Sequence, residues 1–218
     1  FGTLIPVIPA AATNGLGSKE ILNAIIDLLP SPHDLTESNS QSDDKLAALV
    51  FKTTADPYVG KISLFRVYNG TFSSDSQVWN ANKQQSERVG QLFISKGKNQ
   101  EQTPVVHAGD IGAVTKLSVT ATGDTLCTRE NNLTLESISF PKPRHTVAVY
   151  PKSKQDVDKM SIGLTRITEE DPSLSIRRDQ DTGEVLLSGL GDTHVEVAAE
   201  KIKRKLYMLG TGYKKFKN

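Results

Sequence analysis

FKTTADPYVGKISLFRVYNG, residues 51–70, is the segment from which the fold of this chain can be read. Apolar side chains alternate along its second half, so that one face carries Ile62, Leu64 and Arg66 and the other carries Ser63, Phe65 and Val67. This period of two predicts a β-strand that is partly buried on both faces. Asp56-Pro57 interrupts the strand before it, and Asn69-Gly70 supplies a turn that tolerates positive φ. The segment therefore predicts a β-hairpin, and the alternation alone indicates no function.

Short alternating runs of the same kind continue on both sides of this hairpin, through residues 46–139. Gly, Asn and Asp punctuate them, as at Gly109-Asp110 and Gly123-Asp124. Regular short strands separated by turn residues predict a closed antiparallel β-barrel. The predicted strands are Leu46–Thr53, Gly60–Asn69, Gln77–Asn80, Arg88–Ser95, Val105–His107 and Gly112–Leu117.

A third region, residues 140–218, begins with the stiff connector Phe140-Pro-Lys-Pro143 and reads β-α-β-β-α. A final strand within Tyr207–Lys217 would complete a ferredoxin-like α+β sandwich. Its other strands are expected at His145–Tyr150, Leu174–Arg178 and Glu184–Leu190, the last two joined by a turn at Asp181-Thr182-Gly183. Its helices should bury Val157, Met160, Leu164 and Ile167, and Val195, Ala198, Ala199, Ile202 and Leu206.

Residues 1–33 predict one strand and one helix. The strand is expected at Leu4, Ile5, Val7 and Ile8, and a helix capped by Ser18 follows, with Pro30 and Pro32 at its end. The helix has Ile21, Leu22, Ile25, Ile26 and Leu29 at helical spacing. Because one strand and one helix cannot bury a core, we expect the last β-α unit of an α/β domain. The polar residues 34–45 are expected to be a mobile linker.

Composition sets broad limits on function. Charged residues make up 23% and hydrophobic residues 37%, as in a soluble globular protein. Residues 141–218 hold 15 basic and 11 acidic side chains, whereas residues 1–140 hold 11 and 14. The positive excess suits a phosphate-rich partner, and a solvated protein face explains it equally well. Cys127 is the single cysteine, so no internal disulfide forms, and no apolar run reaches transmembrane length.

Segments in all three regions resemble, in order, those of one family. The hairpin segment FK…ADPYVGKI…RVYNG resembles the second domain of elongation factor G, and the similarity extends over about residues 4–206. Further matching segments are Glu87-Arg88-Val89-Gly90, Ala108-Gly109-Asp110-Ile111-Gly112-Ala113, Gly123-Asp124-Thr125-Leu126, Phe140-Pro141-Lys142-Pro143, Glu169-Glu170-Asp171-Pro172-Ser173-Leu174 and Ser188-Gly189-Leu190-Gly191-Asp192-Thr193-His194. Each segment is weak alone, and their order makes the resemblance specific.

The resemblance implies a piece of a larger protein. Residues 1–33 would be the terminal strand and helix of its GTPase domain, and residues 34–45 would link them to domain II. Domain II would comprise residues 46–139, and domain III residues 140–218. Elongation factor G uses GTP, with Mg²⁺, to drive tRNA–mRNA translocation, or ribosome disassembly in some paralogues. The implied partners are small-subunit ribosomal RNA and protein and the GTPase domain of the same chain, in a cytoplasmic monomer without membrane contact. Two alternatives stay open: a ribosomal protection or release-type GTPase, and a free-standing RNA-binding adaptor.

No catalytic residue is expected in this chain itself. It contains neither GxxxxGK[ST] nor NKxD, so we expect no GTP hydrolysis and no bound cofactor. By resemblance, Ala11, Ala12 and Thr13 occupy a guanine-contacting loop, although Ala11 replaces the family's usual Ser. Asp179, Asp181, Glu184 and Asp192 lack the EF-hand spacing, so no metal site is predicted.

Two further sets of residues are candidates for contacts with partners. Arg66, Tyr68 and Arg88 combine charge with an aromatic ring, which suits RNA, and an ordinary sheet surface is the alternative. Arg177, Arg178, Lys201 and Arg204 are basic positions for ribosome contact or for a solvated face. The resemblance places Thr182, Gly191 and His194 toward the GTPase domain. For His194 the alternative is a helical histidine satisfied by local hydrogen bonds.

Overall fold

The structure is a computed structural model that describes residues 5–31, 45–56, 59–97, 99–130, 133–151, 154, 157–205 and 212–214, the last three and residue 205 by backbone alone. The chain divides into two compact units, residues 1–42 and 43–218. Linker residues 34–44, Ser153 and Leu206 therefore lie outside the described residues, and so do the predictions made for them.

Within its described residues, 5–31, the first unit contains one helix, α1 (Ser18–Leu28). Its cap is Gly17 rather than the predicted Ser18, because the backbone there takes a φ of 76° and a Cβ would lie 2.4 Å from the Pro9 carbonyl oxygen. The predicted strand does not form: residues 5–10 are in neither helix nor strand, and Ile5 and Val7 are exposed. A strand needs a neighbour to complete its ladder, and described residues 5–31 supply only the bridge between Ala11 and Leu16.

The described residues of the second region form ten strands. They are β1 (Ala47–Asp56), β2 (Gly60–Asn69), β3 (Thr71–Ser73), β4 (Gln77–Asn80), β5 (Gln85–Arg88), β6 (Leu92–Lys96), β7 (Asn99–Thr103), β8 (Val105–His107), β9 (Ile111–Thr115) and β10 (Thr125–Cys127). Eight make one antiparallel sheet in the order β5-β4-β10-β1-β2-β9-β6-β7, and β3 pairs with β8. Strand β1 continues three residues beyond the predicted end at Thr53 and stops at Asp56. As predicted, a turn follows β2, where Gly70 takes a φ of 66°. The predicted strand Arg88–Ser95 is instead two, because residues 89–91 leave the ladder between β5 and β6.

One apolar core lies inside this sheet and confirms the barrel. Phe65 and Phe72 meet there with ring centroids 4.5 Å apart. Gly112 leaves room for them, since a Cβ at this position would lie 2.6 Å from Phe65 Cζ and 2.8 Å from Val106 Cγ2. The cluster contains Leu46, Ala48, Val50, Phe65, Val67, Phe72, Val78, Val89, Leu92, Val106, Val114, Leu117 and Leu126.

The third region is the predicted ferredoxin-like sandwich. Its elements are β11 (His145–Tyr150), α2 (Val157–Glu170), β12 (Ser175–Arg178), β13 (Val185–Gly189), α3 (Asp192–Lys205) and β14 (Gly212–Lys214). The sheet order β12-β13-β11-β14 is fully antiparallel. The helices and one sheet face enclose a second core of Val147, Val149, Met160, Leu164, Ile167, Leu174, Leu187, Val195, Ala198 and Ile202. Val157, expected in this core, is 43% exposed at the start of α2.

The barrel and the sandwich are in contact within the second unit. Helix α2 packs against β1, and the Ala55 N–H donates a hydrogen bond to Glu170 Oε1, with an N···O distance of 2.6 Å. The segment between β10 and β11 also contacts the barrel, since the Leu135 N–H donates a hydrogen bond to Thr125 Oγ1.

Candidate functional site

An arginine and a tyrosine form a pair on the outer face of strand β2. Phe65 and Val67 point into the barrel core, so the intervening Arg66 and the following Tyr68 project outward. A β-bulge lies at Tyr68, because Ala48 pairs with Val67 and Ala47 with Asn69. The Arg66 guanidinium carbon is 5.2 Å from the centre of the Tyr68 ring, and that residue is 44% exposed. The pair presents a cation and an aromatic ring to solvent on one rigid strand.

A second pair of this type was not predicted from the sequence. Arg129 lies just beyond β10, and its guanidinium carbon is 5.3 Å from the centre of the Trp79 ring on β4. Trp79 is half-buried, because its neighbours Val78 and Asn80 take the inward positions. Nothing in the local sequence joins Arg129 to Trp79, since the contact depends on the pairing of β10 with β4.

Arg88 lies near the second pair and not near the first. It pairs with Gln77 on β4, two residues from Trp79 on the same outward face, and its side chain is exposed. Strands β4, β10 and β1 separate it from β2 in the sheet. The structure therefore divides the predicted set of Arg66, Tyr68 and Arg88 between two surfaces.

The basic candidates of the sandwich are exposed and occupy two elements. Arg177 and Arg178 lie on the edge strand β12, where Arg177 Nη1 is 3.8 Å from Asp179 Oδ2 and Arg178 Nε–H donates to the Gly183 carbonyl. Lys201 and Arg204 are on the outer face of α3, opposite Ala198 and Ile202. Local partners thus engage the two arginines of β12.

His194, near the start of α3, is held by two hydrogen bonds. Its Nδ1 accepts the Leu190 N–H at 3.0 Å, and its Nε2 is 2.9 Å from Asp171 Oδ2. Since Nδ1 accepts, the proton of the neutral ring lies on Nε2 and is donated to the carboxylate. Burial would raise the pKa of Asp171, but hydrogen bonds from Ser173 and His194 outweigh it and hold that pKa below its ordinary value. The geometry matches the locally satisfied histidine, and its orientation toward a GTPase domain stays a prediction.

Thr182 is remote from Gly191 and His194. It lies in the turn before β13, whereas Gly191 and His194 follow the other end of that strand. The Thr182 N–H donates to Asp179 Oδ1 at 3.0 Å. This bond is the main cause that lowers the pKa of Asp179. The three residues expected to face the GTPase domain therefore do not form one cluster.

The remaining candidates have simple surroundings. In the first unit, Ala12 and Thr13 are exposed within a turn that the Ala11 N–H closes on the Leu16 carbonyl at 3.0 Å. Among the residues that the structure describes, no three acidic, histidine or cysteine side chains are grouped as metal ligands would be. None of the described helices is both long and apolar enough to cross a bilayer.

In the described part of the chain a barrel is thus followed by a ferredoxin-like sandwich, and arginine–aromatic pairs lie on the barrel surface. The family model "Elongation factor G domain 2" matches residues 45–129, and "Elongation Factor G, domain III" matches residues 140–208. Together the two matches cover more than half of the chain, in the family's order. The chain belongs to the elongation factor G family, of which it carries the second and third domains.

A solved structure shares this fold. A protein from Thermus thermophilus, known from its crystal structure, superposes with a TM-score of 0.73 at 28% sequence identity over 91% of this chain. The chain spans 29% of the length of that protein.

Proposed function

We propose that this chain is the ribosome-binding middle part of an elongation factor G-like GTPase. The observation that carries the proposal is the succession of the family's second and third domains in one chain. GTP and Mg²⁺ would bind to the GTPase domain of the full-length protein, which would act in the cytoplasm as a monomer. Its reaction would be tRNA–mRNA translocation, with ribosome disassembly as the alternative.

The exposed apolar face of α1 favours this reading over a free-standing adaptor. Ile25 is 46% exposed, Leu22 59% and Ile26 76%, and no residue of the helix is buried. Such a face is normally covered by the rest of a domain. A GTPase domain that ended with this helix would supply the cover.

The two arginine–aromatic pairs support contact with ribosomal RNA. An aromatic ring can stack on any unpaired base, and an arginine can bind a phosphate or extend the stacked surface. Arg66 and Tyr68 on β2 and Trp79 on β4 stand on strands whose opposite faces are anchored in the barrel core, so these three side chains lose little conformational entropy on binding. We infer that the pairs Arg66–Tyr68 and Arg129–Trp79 contact RNA of the small ribosomal subunit.

Binding of the chain to purified small ribosomal subunits tests this inference. We expect Tyr68→Ala to weaken binding about 5- to 150-fold, which corresponds to the loss of one stacked base. Lys96→Ala is the matched control, because Lys96 is also an exposed barrel cation but lies on β6, two strands from β2. Equal affinities of the Tyr68 variant and the wild type would exclude the RNA contact of this pair.

The reaction of the parent protein requires a separate test. The coding sequence upstream should contain a GxxxxGK[ST] loop, and the full-length protein should be assayed for translocation and for subunit splitting. Activity in translocation supports the proposal, and splitting alone supports the alternative. A start codon next to the first residue, with no upstream phosphate loop, would favour the adaptor.

A further inference from the structure

Two consecutive acidic residues at the end of α2 bind partners in different domains, one in the barrel and one in the sandwich. Glu170 Oε1 accepts the N–H of Ala55, in strand β1 of the barrel. The adjacent Asp171 uses Oδ2 to bind His194 Nε2 on α3 and Oδ1 to accept the N–H and hydroxyl of Ser173. A single peptide unit thus joins a contact with the barrel to a contact inside the sandwich.

The series of contacts continues to the loop that follows β13. His194 Nδ1 accepts the Leu190 N–H, so the ring ties the start of α3 to the end of β13. Gly189 makes room for this ring, since a Cβ there would lie 3.1 Å from His194 Nδ1 and 2.9 Å from Val195 Cγ2. The ring is therefore fixed from three sides, by Leu190, Asp171 and the close approach of Gly189.

Two backbone hydrogen bonds hold Asp171, the residue that follows Glu170. The Asp171 N–H donates to the Ile167 carbonyl at 3.0 Å, which continues the hydrogen bonding of α2 through the junction. The Leu174 N–H donates to the Asp171 carbonyl at 3.0 Å, and the Leu174 side chain is buried in the sandwich core. The backbone at Asp171 is therefore tied both to α2 and to the sandwich core.

We propose that Glu170 and Asp171 couple the docking of the barrel on the sandwich to the conformation of the Leu190–His194 loop. When β1 holds Glu170, the Asp171 carboxylate is placed to accept the hydrogen bond from His194 Nε2–H. His194 Nδ1 then accepts the Leu190 N–H and holds the loop. When the barrel moves away from α2, the end of the helix gains freedom and the histidine contact loosens. The coupling depends on these contacts alone, whatever the loop binds in the full-length protein.

Amide hydrogen exchange, measured by NMR on the whole isotope-labelled chain, tests the coupling. We expect Glu170→Ala to accelerate exchange of the Ala55 N–H by about tenfold or more, because the N–H loses a charged acceptor. We also expect the Leu190 N–H, which Glu170 does not touch, to exchange about threefold faster or more. Glu169→Ala is the control, because Glu169 is exposed at the same helix end, and it should leave both amides unchanged.

The outcomes separate coupling from a local contact. Faster exchange at Ala55 with wild-type exchange at Leu190 would overturn the proposal, as would unchanged exchange at both. Protection of the Leu187 N–H in β13 reports whether the sandwich stays folded. If Glu170→Ala abolishes that protection, Glu170→Gln decides instead, since it keeps an oxygen acceptor without the charge. Both amides must then exchange faster than in the wild type, and an unchanged Leu190 refutes the coupling.

Discussion

The carboxylate of Glu87 accepts the backbone N–H of Thr120 with an N···O distance of 3.0 Å, and it is 6% exposed. It also accepts the Val119 N–H at 2.7 Å and hydroxyl bonds from Ser118 and Thr120. One strand residue thereby fixes the loop between β9 and β10. Burial would raise the pKa of Glu87, but the bonds from Thr120, Val119 and Ser118 outweigh burial and lower it.

Replacement of Glu87 should cost stability at neutral pH. Glu87→Gln removes the charge that the two N–H groups and two hydroxyls share, so we expect a loss of about 1–3 kcal/mol in the free energy of unfolding. Urea denaturation at pH 7 measures it. Glu101→Gln is the control. The Glu101 side chain is 59% exposed, and its ion pair with Lys96 should contribute no more than about 1 kcal/mol. Equal losses in the two variants would show that Glu87 does not hold the loop.

The same carboxylate predicts a dependence of stability on pH. Because its folded pKa is lowered, its contribution is present above the unfolded value of about 4.3 and is lost as the pH falls through the folded pKa. The wild type should therefore lose more stability than Glu87→Gln between pH 6 and pH 3, as thermal melts at each pH would show. Parallel curves for the two proteins would contradict this assignment. Asp171, also with a lowered pKa, acts in the same direction and is common to both proteins.

Gly112→Ala should destabilise the barrel. The added methyl would lie 2.6 Å from Phe65 Cζ, and Phe65 is fully buried, so the core must rearrange at a cost of about 1–3 kcal/mol. Urea denaturation followed by tryptophan fluorescence measures the change, since Trp79 lies in the barrel. Gly90→Ala is the control, because a Cβ at Gly90 has no neighbouring atom within 4 Å. A Gly112 variant as stable as the Gly90 variant would mean that the core yields without cost.

Ile202→Asp should unfold the sandwich. Ile202 is 5% exposed in its core, and an unpaired carboxylate there should cost at least about 3 kcal/mol. Val197→Asp is matched on the same helix, where Val197 is 47% exposed, and should stay folded. Amide protection at Val114 in the barrel and at Leu187 in the sandwich distinguishes the two cores. We expect the Ile202 variant to lose protection at Leu187 and to keep it at Val114. Loss at both would contradict our prediction that the barrel and the sandwich fold as separate cores.

The chain should not bind GTP at micromolar concentrations. It lacks the phosphate loop, and Ala11, Ala12 and Thr13 offer one short exposed turn. Titration of a fluorescent GTP analogue against the chain measures this, with a P-loop GTPase as the positive control. Saturable micromolar binding, displaced by unlabelled GTP, would refute the prediction.

Local pattern determined most of the fold. Alternation and turn residues predicted β2 and β4 with their observed ends, and helical spacing predicted that Met160, Leu164 and Ile167 are buried together. These features depend on periods of 2 and 3.6 residues, which neighbouring side chains carry by themselves. The order of short motifs also indicated the family, which the matches to its second and third domains confirm.

Tertiary structure decided which distant residues act together. The contact of Arg129 with Trp79 follows from the pairing of β10 with β4, and the separation of Arg88 from Tyr68 follows from the strand order. The bond from Ala55 to Glu170 joins residues far apart in the sequence, and neither residue type predicts it. Local periodicity says which face of an element is buried, but strand order and domain packing select its neighbours, because those contacts form only when distant segments are brought together.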